Sequence, residues 1–364
     1  MPERLEKLQK ILEVAGVDAL VLVPGANFRY VTGSSHHLSE RPTLLFVTPA
    51  GRCVAVLPFL EAAKFGQKFQ AEVFPWTDAE GYDGALAAAW RALGLKTGLL
   101  GVEGQRLRFF EAEILQRHAP EMTLRSVDVP LSTLRLHKTP QEIEHLRTAI
   151  RMSEAALQAT LAEVRPSMTE RQIASRLELH LNAQGGEGLS FETVVLGGAN
   201  TALPHGSTGS YALQPGDALL FDFGTTYQGY QADITRTFFL GEPAPEHRAL
   251  YAAVLAANET GRAACRPGVA AGSVDLAATQ ALMQAGFEKF IRHRTGHGLG
   301  LETHEAPYIV QTNTQVLAEG MVFTIEPGLY QEGSLGVRIE DNVVITPEGA
   351  ESLTRFPREL TILG

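Results

Sequence analysis

Two aspartates inside a run otherwise built for burial limit what this chain can become. In Ala218–Phe239, ALLFDFGTTYQGYQADITRTFF, two apolar, β-rich runs flank a polar turn around Tyr227, Gln228, Gly229 and Tyr230. That is the pattern of a β-hairpin. A reversal between Tyr227 and Gln228 sets Asp222 directly opposite Asp233. Opposed cross-strand residues lie roughly 4.5–5.5 Å apart at Cβ, and like charges there repel. Such a pair among apolar neighbours is costly without a cation to neutralise it. Asp222 and Asp233 therefore read as half of a metal site, and the chain must supply the other half.

A second acidic hairpin follows. Met321–Tyr330 (MVFTIEPGLY) and Gly336–Thr346 (GVRIEDNVVIT) flank a turn about Gly333, which pairs Glu326 with Glu340. Each hairpin has the same prelude. Thr139-Pro140-Gln141-Glu142 is a capping box with proline at the first helical position, opening a helix to about Val164 that Arg165-Pro166 breaks. A capping box from Thr169 to Gln172 opens a second helix to about Ala183, ending at Gly185-Gly186. The order recurs about 100 residues later: a helix over Pro245–Cys265, a break at Arg266-Pro267, and a helix over Ser273–Ala285 ending at Gly286. An internal duplication is the economical reading. It predicts a pseudo-twofold domain with one acidic hairpin from each half facing the centre.

That domain is expected over residues 131–364, with the boundary near Leu131–Lys138. Residues 1–130 alternate the two kinds of signal and predict a separate mixed α/β domain. Helices are expected over Arg4–Ala15, Glu61–Phe65, Gly84–Leu93 and Phe109–Gln116, and strands over Ala19–Val23, Thr43–Val47, Val54–Leu57 and Thr97–Val102. Pro24–Phe28 reads as a loop. His36-His37, in TGSSHHLSE, reads as a solvated loop, or as a loop reaching a neighbouring active site.

Composition narrows the function classes. At 364 residues the chain is long enough for two domains, and 45% hydrophobic with 20% charged residues is ordinary globular composition. A formal net charge of −10 argues against nucleic-acid binding through bulk electrostatics. Two cysteines, Cys53 and Cys265, exclude a disulfide framework and a cysteine-type zinc site. The first residues form an amphipathic charged helix rather than a signal peptide, and no run reaches the ~18 apolar residues of a membrane span. A cytoplasmic protein with no membrane or nucleic-acid partner is expected.

The neutral ligand missing from four carboxylates should be a histidine, and the best candidate is His297 in HRTGHGLGLETHEAP. Asp222, Asp233, His297, Glu326 and Glu340 make a carboxylate-rich set suited to Mn²⁺, Co²⁺, Fe²⁺ or Zn²⁺, and four carboxylates balance two divalent ions. Two such ions at roughly 3.5–4 Å share a bridging hydroxide and clamp a carbonyl, which is the chemistry of hydrolysis. Singly, each acid is more simply a solvent-facing hairpin residue. Asp222 between Phe221 and Phe223, and Glu326 after Val322-Phe323-Thr324-Ile325, instead alternate with apolar neighbours, and both halves do so. His304-Glu305-Ala306-Pro307 is not a zinc helix, since Pro307 stands where the helix would continue. Leu196-Gly197-Gly198 opens no dinucleotide fingerprint.

FDFG…QADITRTF, LPHG, TGHGLGLETHE, TIEPGLY and VRIEDN together resemble the pita-bread metallopeptidases, the methionine aminopeptidase and creatinase-like superfamily. Within them the chain is similar to the Xaa-Pro branch, aminopeptidase P and prolidase. The match covers about residues 131–364, and NFRYVTG (Asn27–Gly33) extends it into a creatinase-like N-terminal domain concerned with substrate access and dimerisation. The fold implied is α/β (α+β), and the activity is hydrolysis of the bond between an N-terminal residue and proline. The resemblance implies that Asp222 chelates one metal, His297 and Glu326 the other, and Asp233 and Glu340 bridge. Mn²⁺ or Co²⁺ leads as the metal. Glu326 would also move the proton of the bridging hydroxide. His205 and His304 would stabilise the oxyanion, His293 would line the proline pocket, and Arg338 would brace the site.

One position departs from the family. Many prolidases carry an arginine just after the H-E-x-P motif to hold a dipeptide's free carboxylate, and here Tyr308 stands there. Longer peptides with proline second then become suitable, which favours aminopeptidase P activity over the dipeptidase alternative, unless Arg294 or another basic residue substitutes. A creatinase-like hydrolase without metal and a catalytically dead peptide- or histone-binding module are disfavoured by five intact ligand positions. A homodimer is a family-based expectation.

Overall fold

The computed structural model describes residues 2–363. The chain divides into two compact units, Met1–Arg135 and Leu136–Gly364. Elements of the first unit are α1 (Pro2–Ala15), β1 (Ala19–Leu22), α2 (Ala26–Thr32), β2 (Leu44–Val47), β3 (Cys53–Pro58), α3 (Phe59–Gly66), β4 (Glu72–Trp76), α4 (Asp83–Leu93), β5 (Gly98–Val102), α5 (Phe109–His118), β6 (Met122–Ser126) and α6 (Asp128–Ser132). They build one mixed sheet in the order β4-β3-β2-β1-β5-β6. β1, β2 and β3 are buried along their whole length, which is why they read as continuous apolar runs rather than alternating ones.

Two expectations for this unit change. Ala26–Thr32, partly expected as loop, is a helix closed by Gly33 at φ 69°, whose N–H donates to the Arg29 carbonyl. Seven residues are too few for a helical period to show. His36 is not a solvated loop histidine: its side chain is only 2% exposed. The ring lies edge-on to Phe28, with Nε2 2.9 Å from Ser34 Oγ and Nδ1 3.1 Å from Glu61 Oε2, the latter off the hydrogen-bond line. Desolvation lowers its pKa against the opposing pull of Glu61.

The second unit opens with α7 (Pro140–Leu161) and α8 (Glu170–Ala183), both started by the expected capping boxes. Then come β7 (Val194–Gly197), β8 (Ala218–Phe223), β9 (Thr226–Tyr227), β10 (Tyr230–Gln231) and β11 (Ile234–Leu240). The order repeats in α9 (Pro245–Ala264), α10 (Ala271–Gln284), β12 (Gly296–Gly298), β13 (Glu305–Ile309), β14 (Val322–Ile325), β15 (Gly328–Gln331), β16 (Leu335–Arg338) and β17 (Asp341–Thr346), before β18 (Gly349–Ser352) and β19 (Ile362–Leu363). A four-stranded sheet runs β19-β11-β8-β7 and a five-stranded one β13-β12-β14-β17-β18, beside the two-stranded pairs β10-β9 and β15-β16, so β7-β8-β11 and β12-β14-β17 are the same antiparallel unit made twice. No helix among the described residues is long and apolar enough to cross a membrane.

Alternation on these strands assigns their faces. Leu219, Phe221 and Phe223 of β8 pack with Ile150, Leu157 and Leu177 of α7 and α8, which turns Asp222 to the opposite face. Phe323 and Ile325 of β14, with Val343 and Ile345 of β17, pack with Ala271 and Val274 of α10, leaving Glu326 and Glu340 on the other face.

The register of the first hairpin differs from the expected one. Tyr227 pairs with Tyr230 and Asp222 with Thr235, so the turn is Gln228-Gly229, at φ 50° and 80°, and not a reversal between Tyr227 and Gln228. Two positive φ values match the twist of paired strands, which favours this two-residue turn. The slip is by two residues, so Asp233 keeps the face of Asp222 and becomes its diagonal neighbour, at roughly 7–8 Å rather than face to face. The second hairpin keeps its expected register: Ile325 pairs with Asp341 and Gly328 with Arg338, setting Glu326 opposite Glu340.

Buried Arg236 ties these parts together. Its guanidinium donates to Asp341 Oδ1 at 2.8 Å and to the carbonyls of Thr235, Glu340, Phe356 and Pro357. If Arg236 is lost, Asp341 keeps Arg358 and the Thr235 carbonyl keeps the Glu340 N–H, but the carbonyls of Glu340, Phe356 and Pro357 lose this donor in the interior. Arg236→Met should therefore lower stability by about 3–5 kcal/mol. A urea midpoint unchanged from wild type would contradict this.

Candidate active site

The two helix-distal faces meet at a cavity of about 760 Å³. Asp222, Asp233, His297, Glu326 and Glu340 all line it, with His205, His293, Arg294, His304 and Arg338. All five proposed ligands thus reach one pocket, and ligand atoms of Asp233, His297 and Glu340 lie within 4.8 Å of one another. Tyr308 does not line the cavity. It is 38% exposed on β13, and the Arg294 guanidinium lies 4.8 Å from its ring centroid.

His297 enters on β12, buried, with its N–H donating to Thr324 Oγ1 at 3.1 Å. Nδ1 lies 3.2 Å from the Gly298 carbonyl, which accepts only, so Nδ1 carries the proton. Nε2 then presents a lone pair, 3.3 Å from Glu326 Oε1 and 3.7 Å from Asp233 Oδ2. Desolvation and then His304 push its pKa down to about 3, so these approaches are not ion pairs. A neutral imidazole with its far nitrogen tied to a carbonyl is oriented as a metal ligand. The His304 ring stands edge-on to it at 4.0 Å.

The carboxylates press on one another. Burial, and then Glu340, Asp222 and Glu326, hold the Asp233 carboxyl well above its ordinary range. Burial, then Glu326 and Asp222, do the same to Glu340. Glu326 is pushed up to about 7 by burial, with Asp222 raising it further against Arg338. Two buried oxygens of the cavity, Asp222 Oδ1 and Glu340 Oε1, have no hydrogen-bond partner among the described residues. Orphaned acceptors beside crowded carboxylates and an imidazole lone pair fit a divalent cation.

Arg338 threads through this cluster. It donates to Asp222 Oδ2 at 2.6 Å, to Thr235 Oγ1 at 3.0 Å and to the Tyr330 hydroxyl at 2.7 Å. Thr235 in turn donates to Glu340 Oε2 at 2.7 Å. Burial opposes the charge on Arg338, but Tyr330, Asp222 and Glu326 outweigh it and keep the guanidinium protonated. His293 is neutral and its Nδ1 proton faces the Arg294 carbonyl, so the Tyr330 hydroxyl donates to His293 Nε2 at 2.7 Å. His293 Nδ1 donates to the Arg294 carbonyl at 2.7 Å. Both nitrogens of His293 are thereby spent, and it sets the Arg294 backbone while walling the cavity with its ring. Sequence reasoning missed Thr235 and Tyr330. Their parity with Asp233 and Glu326 on the same strand faces was the available signal.

A buried, carboxylate-rich cavity between two repeated β-hairpins, with an oriented neutral histidine, defines a metal-dependent hydrolase. The sequence matches the model of metallopeptidase family M24 over residues 144–347 and that of the creatinase/prolidase N-terminal domain over residues 4–137. The chain belongs to metallopeptidase family M24, and membership implies divalent metal ions. It is 34% identical over 360 residues to the Xaa-Pro dipeptidase of Pyrococcus furiosus, covering 99% of this chain and 100% of the relative. A crystal structure of a dipeptidase from Pyrococcus horikoshii superposes with a TM-score of 0.94 at 34% identity, covering 99% and 100% of the two chains. The recombinant prolidase of Thermococcus sibiricus gives 0.94 at 32% identity, over 99% and 98%.

Raised carboxyl pKa values tie stability to pH. Above the ordinary carboxyl range and up to about pH 7, unfolded chains have released protons that folded Glu326 still holds, so metal-free stability falls as pH rises through that window. A cation requires the deprotonated carboxylates, so it binds with proton release and more tightly at higher pH. In thermal melts of chelator-treated protein, Mn²⁺ should raise Tm more at about pH 8 than at about pH 5. An equal gain at both pH values would contradict the linkage.

Proposed function

We propose that this chain is a two-metal exopeptidase that cleaves Xaa-Pro dipeptides at the bond preceding proline. The observation that carries the reading is the single cavity lined by Asp222, Asp233, His297, Glu326 and Glu340. Those five residues would hold two divalent ions, with Mn²⁺ or Co²⁺ favoured by the oxygen-rich donor set and Zn²⁺ or Fe²⁺ as substitutes. Bound there, the metals supply Lewis-acid polarisation of the substrate carbonyl and acidify water.

The protein's own groups do the rest. Glu326 accepts a proton from the attacking water and returns it to the leaving proline nitrogen, a role open to a carboxylate on the wall of the same cavity. His205 and His304 line the same cavity and donate to the developing oxyanion. Arg338 neutralises Asp222 and, through Thr235, fixes Glu340.

Tyr308 favoured longer peptides on sequence grounds. The named dipeptidase relatives and Arg294 now favour the dipeptide alternative. Arg294 lies on the cavity wall and makes no ion pair among the described residues. The Tyr308 ring beneath it steadies the guanidinium, leaving its N–H groups for a substrate carboxylate.

Mn²⁺-loaded protein should cleave Ala-Pro and leave Ala-Pro-Ala largely intact, and Asp233→Asn should abolish both. Failure to cleave either peptide, or full activity in Asp233→Asn, overturns the enzyme reading. Cleavage of the tripeptide alone restores the aminopeptidase reading. Arg294→Ala should raise KM for Ala-Pro by about 10–100-fold, the loss expected for charge-assisted hydrogen bonds. An unchanged KM excludes Arg294 as the carboxylate anchor.

A further inference from the structure

Glu170, the first residue of α8, is completely buried although no cation among the described residues pairs with its carboxylate. Its oxygens are instead filled by one loop. Oε1 accepts from the Gly197 N–H at 2.7 Å and from Asn200 Nδ2 at 2.9 Å, and Oε2 accepts from the Gly209 N–H at 2.8 Å. The chain leaves β7 at Gly197 and returns past α8 at Gly209, so a single carboxylate clamps both ends of the excursion. Close approach is built in: a Cβ on Gly209 would sit 3.1 Å from Glu170 Oε2. All three contacts are donors, and they meet a carboxylate on the first turn of α8.

The loop carries His205 at the cavity wall. His205 is exposed, and its ring has no hydrogen-bond partner among the described residues, unlike His293 and His297, whose rings are each tied to a carbonyl. Nothing bonded to the imidazole orients it, so its place depends on where the loop is held. We propose that Glu170 is a positioning residue for His205: it fixes the base of the Gly197–Gly209 loop and through it the approach of the imidazole to the scissile carbonyl. This rests on the reading of His205 given above.

Glutamine is isosteric but sets an amide N–H₂ against one of the loop's N–H donors, releasing one end of the clamp. Glu170→Gln in the Mn²⁺-loaded full chain should lower kcat on Ala-Pro by about 10–100-fold, the scale of a misplaced catalytic group, with a smaller change in KM. In a His205→Ala background the same change should cost nothing further. Hydrogen exchange across residues 197–209 should quicken while α7 stays protected. An equal loss in both backgrounds, or unchanged exchange in the loop, overturns the proposal and leaves Glu170 a purely structural residue. If Glu170→Gln does not fold, Asn200→Ala removes one clamp contact alone and should give a smaller loss, again absent beside His205→Ala; an equal loss in both backgrounds overturns the proposal in the same way. Wild-type protein inactive on Ala-Pro fails the functional reading and this one with it. Active wild type with additive losses fails this one alone.

Discussion

Like-charge repulsion at the centre of the second unit is the constraint that its architecture answers. Asp222, Asp233, Glu326 and Glu340 are drawn into one cavity, and burial raises three of the four carboxyls before their mutual repulsion adds to it. No fold tolerates that by chance, because buried carboxylates without compensation are among the costliest arrangements available. Compensation here is partial by construction. Arg338 neutralises one acid, and Thr235 satisfies one oxygen of another. Two oxygens remain unpartnered, so the protein alone leaves the site short of positive charge.

The duplicated halves meet this constraint with one device used twice and then broken. Each contributes an antiparallel hairpin whose helix-facing residues are large and apolar, which anchors the strands and turns their acids to the other side. Corresponding strands then diverge. β12 carries His297, the proposed histidine ligand, whereas β7 launches the loop bearing His205. Repetition supplies the oxygen-rich symmetric part of the site, and divergence supplies its imidazoles and the other surrounding hydrogen-bond donors. The amide of Glu340 donates to the Thr235 carbonyl at 3.1 Å, so the two sheets are stitched where the acids converge.

How much of this was legible depends on how far each signal travels along the chain. Strand parity is local, so the shared face of Asp222 and Asp233 survived a wrong turn assignment; a two-residue slip preserves face, and a one-residue slip would not have. Turn placement depends on positive φ at Gln228 and Gly229, and only the glycine advertised it. Repetition of helix, break, helix and hairpin exposed the second acidic pair without any contact being known. Contacts between distant segments left no such trace. Tyr330 meets His293 across 37 residues, Thr235 meets Glu340 across 105, and Glu170 meets Gly209 across 39. His36 sat in a polar stretch that looked solvated, but Phe28 and Phe65, packed against its ring, bury it.

The two arginines of the cavity differ in a way that residue type could not reveal. Arg338 is buried and fully engaged by Asp222, Thr235 and Tyr330, so its charge belongs to the protein. Arg294 stands on the same wall, half-buried, stacked on an aromatic ring that occupies none of its N–H groups. A ring fixes a guanidinium in space without quenching its charge, as a carboxylate would. Tyr308 therefore need not touch the substrate to matter. Tyr308 holds a cation without an ion-pair partner among the described residues at the cavity, and His293 fixes that cation's backbone. On the proposed dipeptidase reading, a tyrosine that read in the sequence as the loss of a substrate anchor becomes the support for Arg294 in that role.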